Sequence, residues 1–266
     1  MHVRRMTLLA MGLLLLQACT SSPQPERATS TKEPETIAIR ATEYAYSMPK
    51  RVTGGVVTFE MVNAGREPHV FTLVPLGRHT EKELLAALKR GGPPSWASGA
   101  IGVAPIGPGR TVKTTLKIDR PGTYALVCSL PSPKGPPHVL LGMIGSFEVS
   151  GASEATFPKP DATIVATEKG LEVPSLTPGV HTVEFRNAGK QEHEFFLYAL
   201  QPGKTSKDVD AWFESGQQGP APVTFVGGLE AVPPGTSRFQ QVRLEAGLRY
   251  TLEDVVGGHT VRFTAS

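Results

Sequence analysis

The sequence of 266 residues has only two cysteines, Cys19 and Cys128, and no apolar run as long as a membrane-spanning helix. Two cysteines exclude a disulfide-rich scaffold and a zinc site built from four thiolates. The formal net charge is only +3, and this small excess of basic residues argues against nucleic acid as a partner. With 39% hydrophobic residues, the chain can still bury a core.

The amino terminus has the pattern of an export signal. Arg4 and Arg5 precede a short apolar segment over 7–16, which ends in Leu16-Gln17-Ala18-Cys19. This ending resembles the bacterial lipobox, which implies cleavage before Cys19 and a lipid on its sulfur. The alternative is an ordinary signal peptide cleaved after Ala18.

The lipobox interpretation sets the expected location. Residues 1–18 are then the signal peptide, and the polar segment 19–35 is a flexible tether. We expect a protein of the cell envelope that is held to the membrane by lipid on Cys19 and faces the periplasm. Thr20 rather than Asp favours the outer membrane.

The remainder of the chain repeats one unit at an offset of about 125 residues. Residues 41–49 (ATEYAYSMP) match 166–174 (ATEKGLEVP), and Glu67-Pro68-His69-Val70-Phe71 matches 191–195 (QEHEF). We therefore predict one domain over 36–150, a linker over 151–160 and a second domain over 161–266.

Each copy shows alternating apolar residues separated by glycine and proline turns, which is typical of β-strands. One helix is predicted in each copy, beginning after Thr80 and after Thr205, where an acidic residue three positions on completes a capping box. Strands with one short helix predict an all-β fold of two tandem Greek-key β-sandwiches.

Four residues of the first copy are predicted to converge. His69, Cys128 and Met143 share strand parity with apolar neighbours, so each points into the core at a strand end. His138 lies in the proline-rich loop between Cys128 and Met143. Two imidazoles, a thiolate and a thioether suit copper that alternates between two oxidation states, whereas zinc gains little from a thioether.

These motifs resemble the cupredoxin family, which includes plastocyanin and azurin. The pattern is Asn63…His69, then Cys128, then His138-x4-Met143. The resemblance implies one type 1 copper site in which His69, Cys128 and His138 are equatorial ligands and Met143 is the axial ligand.

The second copy lacks the cysteine and the loop that carries the second histidine. It retains His193, with Asp254 near the position of Cys128 and His259 at that of Met143. One interpretation is a vestigial metal site formed by these three residues. The other, which we favour, is a degenerate repeat in which Asp254 is solvated or hydrogen-bonded.

Three functions are compatible with these features. The first is an electron carrier whose His138 ring edge emerges from an apolar patch and meets a redox partner. The alternatives are copper sequestration or delivery, and a metal-free interaction module. The sequence has no His-x-His pair to ligate further copper ions, so we expect a protein that is not an enzyme.

Overall fold

The computed structural model describes residues 32–133 and 135–266. The first repeat contains nine strands, which are β1 (Glu35–Thr42), β2 (Ala45–Ser47), β3 (Arg51–Thr53), β4 (Gly55–Asn63), β5 (His69–Pro75), β6 (Ile101–Ile106), β7 (Thr111–Ile118), β8 (Gly122–Val127) and β9 (Ile144–Ser150). The second repeat contains eight, which are β10 (Ala162–Thr167), β11 (Gly170–Glu172), β12 (Gly179–Asn187), β13 (His193–Leu200), β14 (Val223–Val232), β15 (Ser237–Leu244), β16 (Arg249–Asp254) and β17 (His259–Thr264).

The strands form two sheets that face each other, and both sheets run through both repeats. One sheet has the order β11-β10-β12-β15-β7-β4-β1-β2, and the other has the order β17-β16-β13-β14-β6-β5-β8-β9-β3. The repeats join where β7 pairs antiparallel with β15 and β6 pairs antiparallel with β14. Each repeat keeps its own core between the sheets. The predicted all-β class with two tandem sandwiches is therefore confirmed.

One α-helix follows the same strand in each repeat, as predicted. Helix α1 spans Glu81–Lys89 and helix α2 spans Ser206–Glu214. Thr80 and Thr205 cap them, and each side chain accepts a hydrogen bond from the third helical residue in a complete capping box. The helices pack on the outer face of the nine-stranded sheet through residues such as Leu84 and Val209.

Both sheets place their buried residues by simple alternation. In β4, Val57, Phe59 and Met61 are fully buried and face the opposite sheet. The domain limits at 36–150 and 161–266 stay a prediction, because the described residues form one compact unit. No helix in this described part of the chain is long and apolar enough to cross a membrane.

Candidate metal centre

The first predicted donor, His69, is the first residue of β5 and is fully buried. It pairs with Ile106, and the register shifts between His69 and Phe71. The loop before it is held by Asn63, whose amide nitrogen donates to the carbonyls of Glu67 (2.8 Å) and Ile106 (2.7 Å). Asn63 therefore fixes the backbone from which the imidazole projects.

The second and third donors are joined by a short loop with its own backbone hydrogen bonds. Cys128 directly follows β8, and His138 begins a 3-10 turn over His138–Leu141. The Val139 N–H donates to the Cys128 carbonyl, and the Met143 N–H donates to the His138 carbonyl, each at 2.9 Å. The His138 N–H donates to Leu130 at the same distance. Backbone hydrogen bonds within the loop therefore hold its two ends together.

These three side chains meet in the core. The Nδ1 atoms of His69 and His138 are 3.2 Å apart, and Cys128 Sγ lies 3.3 Å from His138 Nδ1 and 4.0 Å from His69 Nδ1. His138 is 1% exposed, and the other two side chains are fully buried. In the described part of the chain this is the one group of three or more such donors that are mutually within reach of a metal ion.

The triangle fits a single metal ion. Metal bonds of about 2.0–2.3 Å to imidazole nitrogen and thiolate sulfur, arranged in a plane, hold their donors about 3.5–3.8 Å apart. The separations of 3.2, 3.3 and 4.0 Å lie on either side of that range. Two nitrogens and one sulfur are also the equatorial set of blue copper sites.

Burial determines how these donors ionise. It raises the pKa of the Cys128 thiol to about 12, because the thiolate would lose its hydration. It lowers the pKa of His69 to about 4 and lowers the pKa of His138, because protonated imidazole is disfavoured there. At neutral pH the imidazoles are ready to bind a metal, whereas the thiol must release a proton to do so.

Met143 lies beside the cluster and directly precedes β9. Its side chain is fully buried in the same core group as Cys128. The Cys128 N–H donates to the Met143 carbonyl at 3.2 Å. Its role as an axial ligand stays a prediction. Cys19, the predicted lipid site, lies outside the described residues.

Two neighbours of the cluster escaped the sequence analysis. The Tyr46 hydroxyl donates to the Val70 carbonyl and lies beside Cys128. The pKa of this phenol is raised, mainly by burial and secondly by the neighbouring Cys128. Glu67 Oε2 lies 2.9 Å from His138 Nε2. The signal for Glu67 was its replacement by Gln191 in the second repeat.

The His138 ring does not emerge at the surface as the sequence predicted. Its edge meets Glu67 at the wall of a cavity of about 270 Å³, which both repeats line. Leu130 lines it from the first repeat, and Trp212 and Pro220 line it from the second. The second repeat therefore forms part of the surroundings of the donor cluster.

The second-repeat residues are arranged differently. His193 Nδ1 lies 2.7 Å from Asp254 Oδ2, and both side chains are fully buried. Asp254 Oδ1 also accepts hydrogen bonds from the Glu194 and Gly257 N–H groups. His259 pairs with Asp254 across the strands. Within the described part of the chain, however, the donor atoms of His193, Asp254 and His259 do not come close enough together to hold one metal ion. The carboxylate is hydrogen-bonded, as in the degenerate-repeat interpretation.

Comparisons with solved structures identify similar proteins. An auracyanin from Roseiflexus castenholzii is 25% identical, and the match covers 45% of this chain and 99% of that protein at a TM-score of 0.33. Copper nitrite reductase from Nitrosomonas europaea is 16% identical over 88% of this chain and 94% of that protein, at a TM-score of 0.28. A multicopper oxidase is 16% identical over 87% of this chain and 88% of that protein, also at 0.28. No family model matches the sequence, and no curated protein does.

The buried His-Cys-His triangle at the end of a Greek-key sandwich decides the relationship. The fold of the protein is cupredoxin-like. The sequence led us to expect a protein that is not an enzyme, and this expectation is wrong. The solved structures similar to this chain include a multicopper oxidase and copper nitrite reductases. The absence of a His-x-His pair therefore does not decide whether the protein catalyses a reaction.

Proposed function

We propose that this cupredoxin-like protein binds one copper ion in a type 1 site and carries electrons. His69, Cys128 and His138 would hold the ion in a plane, and Met143 would be the axial ligand. Copper bound there would supply one-electron chemistry between two oxidation states. The observation that carries the proposal is the buried triangle of two Nδ1 atoms and one Sγ.

Copper fits these residues better than zinc does. Zinc in closed sites prefers four N, S or O donors in a tetrahedron, and a thioether is a weak ligand for it. Copper accepts two imidazoles and a thiolate with a distant thioether. The backbone-closed loop from Cys128 to Met143 supports rapid electron exchange, because it restricts ligand movement when the ion changes charge.

The proposal extends to location and partner. We propose that lipid on Cys19 anchors the protein to the membrane, with the outer membrane favoured and both repeats in the periplasm. A redox partner protein would dock near His138, over Glu67 and the cavity beside it. The cavity supports this position, because His138 and Glu67 both line it.

Visible spectroscopy of the purified protein tests copper binding. Titration with Cu(II) is expected to give an intense thiolate-to-copper band that saturates at one ion per chain. Cys128→Ser should abolish the band, because a hydroxyl cannot supply the thiolate donor. Ser129→Ala is the matched control, since Ser129 is the exposed neighbour of Cys128, and it should retain the full band.

Two results would overturn the proposal. One is a wild-type protein that binds Cu(II) without the band, and the other is a band that survives in Cys128→Ser. Thermal unfolding of the copper-free variants checks that both are folded. Reversible bleaching by ascorbate and recovery with ferricyanide should accompany the band if the site exchanges electrons.

A further inference from the structure

Glu67 is the one acidic side chain that reaches the outer edge of a predicted copper ligand in the described structure. Its Oε2 atom lies 2.9 Å from His138 Nε2, on the side of the ring opposite the Nδ1 donor. Both atoms are buried, and the pair lies at ion-pair distance without the alignment of a hydrogen bond. The other carboxylate oxygen accepts a long hydrogen bond of 3.5 Å from the Tyr44 hydroxyl. The carboxylate is therefore in contact with the ligand and away from the donor triangle.

The second repeat shows which parts of this loop are structural. Asn187 donates to the Gln191 carbonyl at 2.8 Å, just as Asn63 donates to that of Glu67. Glu168 accepts from the Lys190 and Gln191 N–H groups, just as Glu43 accepts from the Arg66 and Glu67 N–H groups. The same backbone is thus built in both repeats by the same residue types.

The position of Glu67 is where the two loops differ. Its counterpart is Gln191, in the repeat that has lost the cysteine and the second histidine. Since the turn forms equally well around Gln191, the fold of this loop does not require a carboxylate at this position. The charge of Glu67 is found only where the donor triangle is found, which indicates a role toward the bound ion.

We propose that Glu67 is a positioning residue that orients His138 and lowers the reduction potential of the copper site. This inference rests on the proposed function and deepens it. An imidazole that binds a metal through Nδ1 keeps its proton on Nε2, and in His138 this is the atom that faces the Glu67 carboxylate. That contact fixes the ring and makes the imidazole a stronger base. A nearby negative charge also favours Cu(II) over Cu(I).

The test is the reduction potential of Glu67→Gln. Removing the charge is expected to favour the reduced state by about tenfold, which corresponds to a rise of about 59 mV for one electron. Gln191→Glu is the matched control, because it places a carboxylate at the equivalent exposed position of the second repeat. The control should keep the wild-type potential, and both variants should keep the thiolate-to-copper band.

A second measurement does not depend on any variant. In the diamagnetic Cu(I) protein, proton–nitrogen correlation NMR should show a His138 Nε2 proton that exchanges slowly with water. Rapid exchange of this proton, as for a solvent-exposed imidazole, would contradict the contact with Glu67. If Glu67→Gln does not fold, this measurement still tests the contact between Glu67 and His138.

The outcomes separate this inference from the proposed function. If the wild-type protein shows no thiolate-to-copper band, the proposed copper site itself fails. If the wild-type protein is blue and Glu67→Gln has an unchanged potential, only the role of Glu67 fails. A rise in potential in Glu67→Gln that Gln191→Glu does not share supports the inference.

Discussion

At the scale of single residues, Gly65 controls the position of His69. A Cβ atom at Gly65 would lie 2.5 Å from Glu43 Oε1 and 2.8 Å from His69 Nε2, so both neighbours would have to move. We expect Gly65→Ala to destabilise the protein by about 1–3 kcal/mol. It should also weaken Cu(II) binding by roughly tenfold or more, because His69 leaves its donor position. Urea unfolding and competition with a chelator measure the two effects.

The second repeat supplies the control for this prediction. A Cβ atom at Gly189 would lie 2.7 Å from Glu168 Oε1 and 2.9 Å from His193 Nε2, so the steric conflict is closely similar. Gly189→Ala should therefore cost comparable stability while leaving Cu(II) affinity unchanged. Equal copper affinity in both variants would show that the position of His69 does not depend on Gly65.

The same residue scale shows how far the sequence predicts the cluster. Strand parity places His69 and Cys128 in the core, because successive side chains of a strand alternate between its faces. The contact between Glu67 and His138 is beyond this rule, because Glu67 lies in a loop and His138 begins a 3-10 turn, so neither residue belongs to a strand. Comparison of Glu67 with Gln191 was the only signal for it in the sequence.

At the scale of elements, the loop between β8 and β9 is built by its own hydrogen bonds. The N–H groups of His138, Val139 and Met143 all donate within it. We expect these amides to remain protected from hydrogen exchange after copper is removed, because their partners are backbone carbonyls and not the metal. Amides in the exposed turn at Gly77 serve as the unprotected reference. Exchange at the reference rate in the copper-free protein would mean that the metal organises the loop.

Helices and strands were more predictable than the surroundings of this loop. The capping boxes at Thr80 and Thr205 mark the helix starts, because such a cap satisfies the first free N–H groups locally. The burial of His138 has no comparable local signal. Part of the cavity wall beside it belongs to the second repeat, through Trp212 and Pro220. The approach of a distant segment is not encoded in the pattern of the loop itself.

At the scale of the whole molecule, the two repeats are joined by continuous sheets and by polar side-chain contacts. Gln240 donates to the Thr114 hydroxyl at 2.9 Å, and the Thr72 hydroxyl donates to Glu230 at 2.8 Å. Alternation predicts strands equally well at an edge and in the centre of a sheet, so the sequence did not indicate this continuity. Gly102 is the residue of β6 against which the Glu230 side chain rests.

The buried carboxyl at this junction should make stability depend on pH. Burial raises the pKa of Glu230 to about 7 from its ordinary 4.5, because the ionised form loses hydration. The folded state therefore holds the proton more tightly than the unfolded state. This contribution to stability is fully present below pH 4.5 and is lost as the pH rises to about 7.

Glu230→Gln removes this pH dependence and keeps an oxygen that can accept from Thr72. The variant should be more stable than the wild type by about 2–3 kcal/mol near pH 8, and the difference should disappear near pH 4. Urea unfolding of both proteins in the same metal state measures this difference.

Glu245→Gln is the control, because Glu245 pairs with Arg110 across the same junction in an exposed position. Losing that pair should cost no more than about 1 kcal/mol. A Glu230→Gln difference that is equal at both pH values would show that the junction does not hold Glu230 in its protonated form, and that its carboxylate remains hydrated between the repeats.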